Sequence, residues 1–315
     1  MLVQVAALLA IAFFFGWFLS QNWEEVRTLS LQYDVRFLFL SFGLLGLFFA
    51  LLVLGWLQIL RWMGFPRDAL SGARVWFISQ LGKYVPGKVL MAVSRVYLAT
   101  QEGIAPPIGL LSLYMEILLL ILAGLLLYLA IWPAWSTSGP YTWLGLAALP
   151  VGLALSYPPW LERMVNWILH RFRREPIRLG LHYGQVLRLL LFYVASWCVY
   201  GASQYCLIAA FFPLRVEAAL PILGISSLSW VLGFLVLIAP AGLGIREGAQ
   251  AILLAQFLPT PVAMVTPLVS RLLWSLGEGL GVLVTLVGVA VRRHKSRQQA
   301  GSNHFPDPPA PPPES

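Results

Sequence analysis

Residues 80–99 read QLGKYVPGKVLMAVSRVYLA, a run mostly apolar enough to enter a bilayer that nevertheless carries Lys83, Lys88 and Arg95 around Pro86-Gly87. Proline removes a backbone donor and glycine favours non-helical backbone, so a helix through this run breaks at its centre. Broken backbone in hydrocarbon leaves peptide groups unsatisfied, and it survives only when buried in protein or lining a wet cavity. A second hydrophobic stretch, 219–257, is interrupted in the same way by PAGLG at 240–244, with Arg246, Glu247 and Gly248 following directly. Each stretch, about 71–100 and 219–257, reads as a re-entrant hairpin or a pair of short spans.

The rest of the chain supplies the membrane context. Of 315 residues, 59% are hydrophobic and only 11% charged, and the mean hydropathy is +0.78, which a soluble domain would not tolerate. The fold class expected is an all-α polytopic membrane protein. Six runs have the length and apolarity of full spans: 2–19, 37–60, 108–131, 142–158, 188–212 and 262–290. The first lacks a preceding basic residue and a following cleavage site, so it is expected to be retained rather than removed as a signal peptide. Residues 1–292 form the expected membrane domain, and 293–315 a basic, then Pro-rich, tail. Cys198 and Cys206 lie eight residues apart in one apolar run, too far to pair.

Both broken stretches add an even number of crossings, so orientation can be read without resolving them. With the N-terminus inside, the loops around Arg61–Arg74, Arg163–Arg178 and Arg292–Arg297 place twelve basic residues on the cytoplasmic side, against Arg27, Arg36 and Arg215 opposite. That bias predicts both termini in the cytoplasm. It also accounts for the net charge of +8 without nucleic acid, because loop arginines face anionic headgroups. The segment 160–174 interleaves apolar residues with arginine and reads as an interfacial amphipathic helix.

Superimposing Pro86 on Pro240 also aligns Trp76 with Trp230 and Pro107 with Pro261. Leucine matches carry little weight in so apolar a chain, but the order of elements repeats. Units of about 37–131 and 188–290 then start on opposite sides, an inverted repeat of the kind that places a transport site near the midplane.

A helix restarting after Pro86-Gly87 aims free N–H groups at any cavity there, with Lys83 and Lys88 close by in sequence and Arg95 as a further candidate for headgroup binding. These suit an anion such as a phosphate. Gly242 and Gly244 permit close approach in the second break. Alternatively, Lys83, Lys88 and Arg95 reach to the interface and bind nothing specific. Glu116, Arg271 and Glu278 lie well inside spans and need partners or water. The repeat offset places Glu116 beside Arg271, predicting a buried pair between units or a coupling site. Ser196, Tyr200 and Gln204 form a polar stripe that either lines a cavity or joins helices.

GKYVPGKV and PAGLGIREG, in this order and spacing, resemble the signatures of the flippase-like family known from the transmembrane region of lysylphosphatidylglycerol synthases. The resemblance covers most of residues 1–292. It implies a multi-pass protein of the bacterial inner membrane that moves an anionic, aminoacylated or polyprenyl-phosphate-linked lipid between leaflets. It assigns headgroup binding to Lys83, Pro86, Gly87 and Lys88, and to Pro240, Gly242, Gly244, Arg246, Glu247 and Gly248. Ala241 departs from the pattern, standing where glycine is expected. No soluble aminoacyl-transferase domain follows the last span, so the chain is not expected to make lysylphosphatidylglycerol itself.

Two other readings compete. A lipid-modifying enzyme needs clustered carboxylates or histidines in the spans, but Asp34, Asp68, Asp307 and all four histidines lie outside them. No cofactor, metal or nucleotide motif is expected. A scaffold for a lipid synthase or glycosyltransferase would not need charges or broken helices in the membrane, and this chain has both.

Overall fold

The computed structural model describes residues 33–85, 87–131, 150–151, 153–154, 156–171, 176, 180–236 and 239–302. The expected span at 2–19, most of that at 142–158, Pro86 and the Pro-rich segment after 302 lie outside them. All regular structure among the described residues is helical.

Helix α1 spans Val35–Trp62, α2 Ala69–Gln80, α3 Val89–Gln101 and α4 Pro106–Ile131. Helix α5 covers Pro158–Arg171, α6 Tyr183–Ala209, α7 Ala219–Leu235, α8 Ile245–Leu254 and α9 Thr260–Ser302. Helices α1, α4, α6, α7 with its preceding 3-10 turn, and α9 are long and apolar enough to cross a membrane. Local chemistry sets several starts. The Asp34 carboxylate accepts from the Arg36 N–H, and the Asp68 carboxylate from those of Leu70 and Ser71; Pro106 opens α4, where its missing donor costs nothing. Helix α9 runs ten residues past the expected domain end at 292, so the basic start of the predicted tail is helical. The amphipathic helix expected at 160–174 is α5, which buries Leu161 and turns Trp167 outward.

At about 1.5 Å per residue, α2 and α3 reach only about 18 and 20 Å, too short for a hydrocarbon core of about 30 Å. They pack together as a helical hairpin. Its descending limb ends in a 3-10 turn, Leu81–Tyr84, and α3 returns from Val89. The second break joins α7, long enough to cross, to the 10-residue α8, which is not. The first stretch is thus a hairpin of two limbs, each too short to cross by itself, while the second joins a long limb to a short one. The turns at the two breaks, Leu81–Tyr84 and Pro240–Gly242, lie against each other.

In lipid, helix association depends on close packing and interhelical hydrogen bonds, and glycines provide the closeness here. A Cβ on Gly55 would lie 2.5 Å from the Tyr193 hydroxyl, one on Gly201 2.4 Å from Leu223, and one on Gly277 2.8 Å from Phe49. Helices α1 and α6 run antiparallel, with Asp34 N–H donating to Ala210 O and Ser203 Oγ to Ser41 O, at 2.9 and 2.8 Å. Around them Phe48, Phe49, Trp197, Tyr200 and Trp274 interlock at ring-centroid separations of 5.1–6.1 Å.

Within the first hairpin, Gly82 lets the returning helix approach, since a Cβ there would lie 2.5 Å from the Met91 nitrogen. Backbone cannot yield as a side-chain tip can. Gly82→Ala is therefore expected to destabilise the protein by about 1–3 kcal/mol, seen as a lowered thermal midpoint in detergent. Gly43→Ala, with open space around it, is expected to leave that midpoint unchanged.

Candidate functional site

The two breaks meet around a small cavity of about 60 Å³, lined among others by Lys83, Lys88, Glu116, Arg246, Arg271 and Glu278. That is room for a few water molecules. The site is built from strained backbone. Lys88 (φ 57°) and Ala241 (φ 50°) are the positive-φ non-glycine residues among those described, and they occupy the two breaks. Gly87, Gly242 and Gly244 share that region of φ, where lack of a Cβ removes the penalty. The family pattern's glycine at 241 thus has a physical cause. Ala241→Gly is expected to be tolerated or to stabilise by up to about 1 kcal/mol, whereas Ala241→Val adds a β-branch to a left-handed backbone and lowers the thermal midpoint.

Lys88 extends across the cavity to the second break. Its Nζ donates to the carbonyls of Gly233 and Val236, each at 3.3 Å, and of Phe234, and lies 4.2 Å from the Phe234 ring centroid. These carbonyls end α7, so the ammonium caps the helix and meets the negative end of its dipole. Gly233 also lets α8 approach α7: a Cβ there would lie 2.7 Å from Arg246 Cβ. Arg246 is buried, donating from Nη2 to the Tyr200 hydroxyl at 2.5 Å with its guanidinium 4.4 Å from the Trp274 ring centroid.

The carboxylates are already engaged. Glu278 accepts from Lys83, from Trp274 Nε1 at 2.8 Å and from the Tyr84 hydroxyl at 3.0 Å. Glu116 accepts from Arg95 Nη1 at 3.0 Å and Trp76 Nε1 at 2.5 Å, while Arg95 Nε reaches Ser79 Oγ at 2.6 Å. Glu247 caps α8 by accepting from the Gly244 N–H at 2.7 Å and pairs with Arg271 Nη1 at 2.9 Å. Arg271 Nη1 also lies 3.1 Å from the Ala241 carbonyl.

Several expectations change on this geometry. Glu116 does not meet Arg271: its partner is Arg95, held opposite by the packing of α3 on α4. Arg95, expected among the headgroup-binding cations, is fully buried behind the cavity in that pair. Glu247, expected among the headgroup-binding residues, instead caps α8 through the Gly244 N–H and pairs with Arg271. Gly248 sits in an ordinary helical turn, its N–H donating to Gly244 O at 2.9 Å, and does not line the cavity. Sequence reasoning did not single out Trp76 or Trp274, and it left the role of Tyr200 open. The available signal was an indole or phenol in an apolar run, whose polar hydrogen needs a partner when buried. Tyr200 and Gln204 join α6 to α8, Gln204 accepting from Gln250 Nε2 at 3.3 Å, while Ser196 bonds back to Phe192 O.

The charges around the cavity do not balance. Lys83, Arg95 and Arg271 pair with Glu278, Glu116 and Glu247, while Lys88 and Arg246, each 6% exposed, have no carboxylate partner among the described residues. Among those residues, no three His, Cys, Asp or Glu side chains converge as a metal site would require.

This architecture defines a multi-pass α-helical membrane protein with a polar, cation-rich cavity between two broken helical stretches. The chain belongs to the family of the lysylphosphatidylglycerol synthase transmembrane region, whose model matches residues 3–296. No curated protein matches the sequence significantly.

Proposed function

We propose that the protein moves a lipid with a phosphate-bearing headgroup between leaflets through the cavity at the meeting breaks. The lipid class is an anionic or aminoacylated phospholipid or a polyprenyl-phosphate-linked lipid. The observation that carries this reading is the pair of buried cations, Lys88 and Arg246, without a carboxylate. A buried charge left unpaired is costly, and an arriving phosphate supplies the missing counter-charge. Lys88 spends its hydrogen bonds on neutral carbonyls, and a phosphate oxygen is the stronger acceptor. A headgroup therefore competes for the contact that holds the breaks together, and admitting it requires them to separate, since the cavity holds only a few waters.

The remaining assignments accompany this proposal. The family resemblance favours a bacterial inner-membrane protein, and the arginine bias favours both termini in the cytoplasm. The units 37–131 and 188–290 would act as inverted halves that alternately expose the site. Lys83–Glu278 and Arg271–Glu247 would be the pairs that re-form as it opens.

The test is leaflet exchange of fluorescent lipids in proteoliposomes, comparing phosphatidylglycerol, lysylphosphatidylglycerol, a polyprenyl phosphate and phosphatidylcholine. Protein-dependent acceleration for at least one phosphate lipid class, reduced in Lys88→Ala and Arg246→Ala, is the expected result. Absence of acceleration for all of them in folded protein would overturn transport and favour a scaffold for a lipid synthase or glycosyltransferase.

A further inference from the structure

A second cationic site lies away from the central cavity. Because α1 and α6 run antiparallel, the last turn of α1 lies level with the first turns of α6. Arg61, Arg188 and Arg67, from the loop leading into α2, line one groove of about 360 Å³ there. Among the described residues no carboxylate lines it. Asp68, next to Arg67 in sequence, is engaged with Arg292 at 3.0 Å, and Glu102 with Arg74 at 2.6 Å. Arg67 Nη1 donates only to the adjacent Pro66 carbonyl, and its Nε is buried without a partner among the described residues. Arg188 Nε reaches only Gly184 O, on its own helix, at 3.3 Å.

Below this rim the groove changes character. Leu54, Leu57, Leu189 and Phe192 form its floor, and Leu54 lies two helical turns from Arg61, about 10 Å towards the middle of the span. Trp62 stands at the rim, the level at which indole rings sit in a bilayer. A cationic rim above an apolar floor matches one amphiphile: phosphate at the arginines, acyl chain along the helices. A free phosphate would use the rim alone. Guanidinium groups suit phosphate oxygens by shape as well as charge.

We propose that this groove between α1 and α6 holds an anionic glycerophospholipid, its phosphate bound by Arg61, Arg67 and Arg188. The lipid fastens the α1–α6 pair at the membrane boundary, independently of any lipid in the central cavity.

The experiment is retention of added phosphatidylglycerol or phosphatidylcholine by the purified full-length protein in detergent, read by native mass spectrometry. The wild type is expected to retain phosphatidylglycerol preferentially, and the Arg61→Gln/Arg67→Gln/Arg188→Gln variant to lose at least tenfold in apparent affinity. Replacing the same three with lysine keeps most of the binding. Leu54→Trp, at an outward-facing position, obstructs the floor and lowers retention with every arginine intact, which keeps the test valid if the triple variant fails to fold. The same loss on changing the three arginines to glutamine is expected in an Arg246→Ala background, separating this site from the central one. Equal binding of the two lipids, unchanged retention in both the Gln and the Trp variants, or displacement of the lipid by soluble glycerol phosphate would overturn the proposal.

Discussion

Replacing Arg95 by alanine is expected to cost about 3–5 kcal/mol of stability, the range for breaking a buried ion pair by removing one partner. The guanidinium is fully buried, bonded to Glu116 and Ser79, and lies 4.7 Å from the Trp56 ring centroid. Its loss leaves the buried Glu116 carboxylate without a counter-charge, keeping only the Trp76 N–H among its hydrogen-bond donors in the described residues. Arg95→Lys keeps the charge but not the planar fork, and falls between the two. Arg95→Leu with Glu116→Leu removes both charges, so the double variant should recover much of what either single change loses. Thermal unfolding in detergent, followed by tryptophan fluorescence, reads all four proteins. If Arg95→Ala unfolds with the wild type, the pair is not what holds the first hairpin to α4. Exchanging the charges of Glu116 and Arg271 rescues nothing on this geometry, because the two have different partners.

The second large effect concerns Lys88 and Arg246, where stability and transport should part company. Arg246→Met keeps the bulk of the side chain and leaves the Tyr200 hydroxyl within 3.4 Å of Ser270 Oγ, so the thermal midpoint should move little. A hydrogen bond to a charged group contributes about 1.5–3 kcal/mol. If phosphate meets that guanidinium during passage, the exchange rate for the phosphate lipid falls about 10- to 150-fold. Lys88→Met should lower exchange by a similar factor and also lower the midpoint, because the α7 carbonyls lose their cap. Unaltered exchange in both variants, measured beside an active wild type, would remove these cations from the transport path.

Much of this was legible in the chain because membranes punish exceptions. Pro86-Gly87 and PAGLG announce broken backbone, and Lys83, Lys88, Arg246, Glu116, Arg271 and Glu278 stand out in apolar surroundings because each must find a partner or water. All six of these charged residues line one cavity. What the sequence withheld was who meets whom. The repeat offset relates Glu116 to Arg271 by position in the chain, whereas contact depends on how each helix is rotated. Arg95, on the neighbouring helix, turns inward and reaches Glu116 first. Lys88 was readable as a cation beside a break, but not as the cap of a helix 145 residues away, since backbone carbonyls leave no trace in a residue pattern. Ala241 was the reverse case: a missing glycine flagged the position, and its left-handed backbone supplied the reason.

Gly233 is where three segments converge. Its carbonyl accepts a hydrogen bond from Lys88, its missing side chain makes room for Arg246, and a Cβ on Gly242 would lie 2.5 Å from its oxygen. The first break cannot withdraw without uncovering the α7 carbonyls that Lys88 serves, and a peptide group left unsatisfied inside a membrane costs several kcal/mol. The Lys88 side chain therefore ties the two breaks together as the tongue of a latch does. Its release is a property of the whole protein rather than of either half.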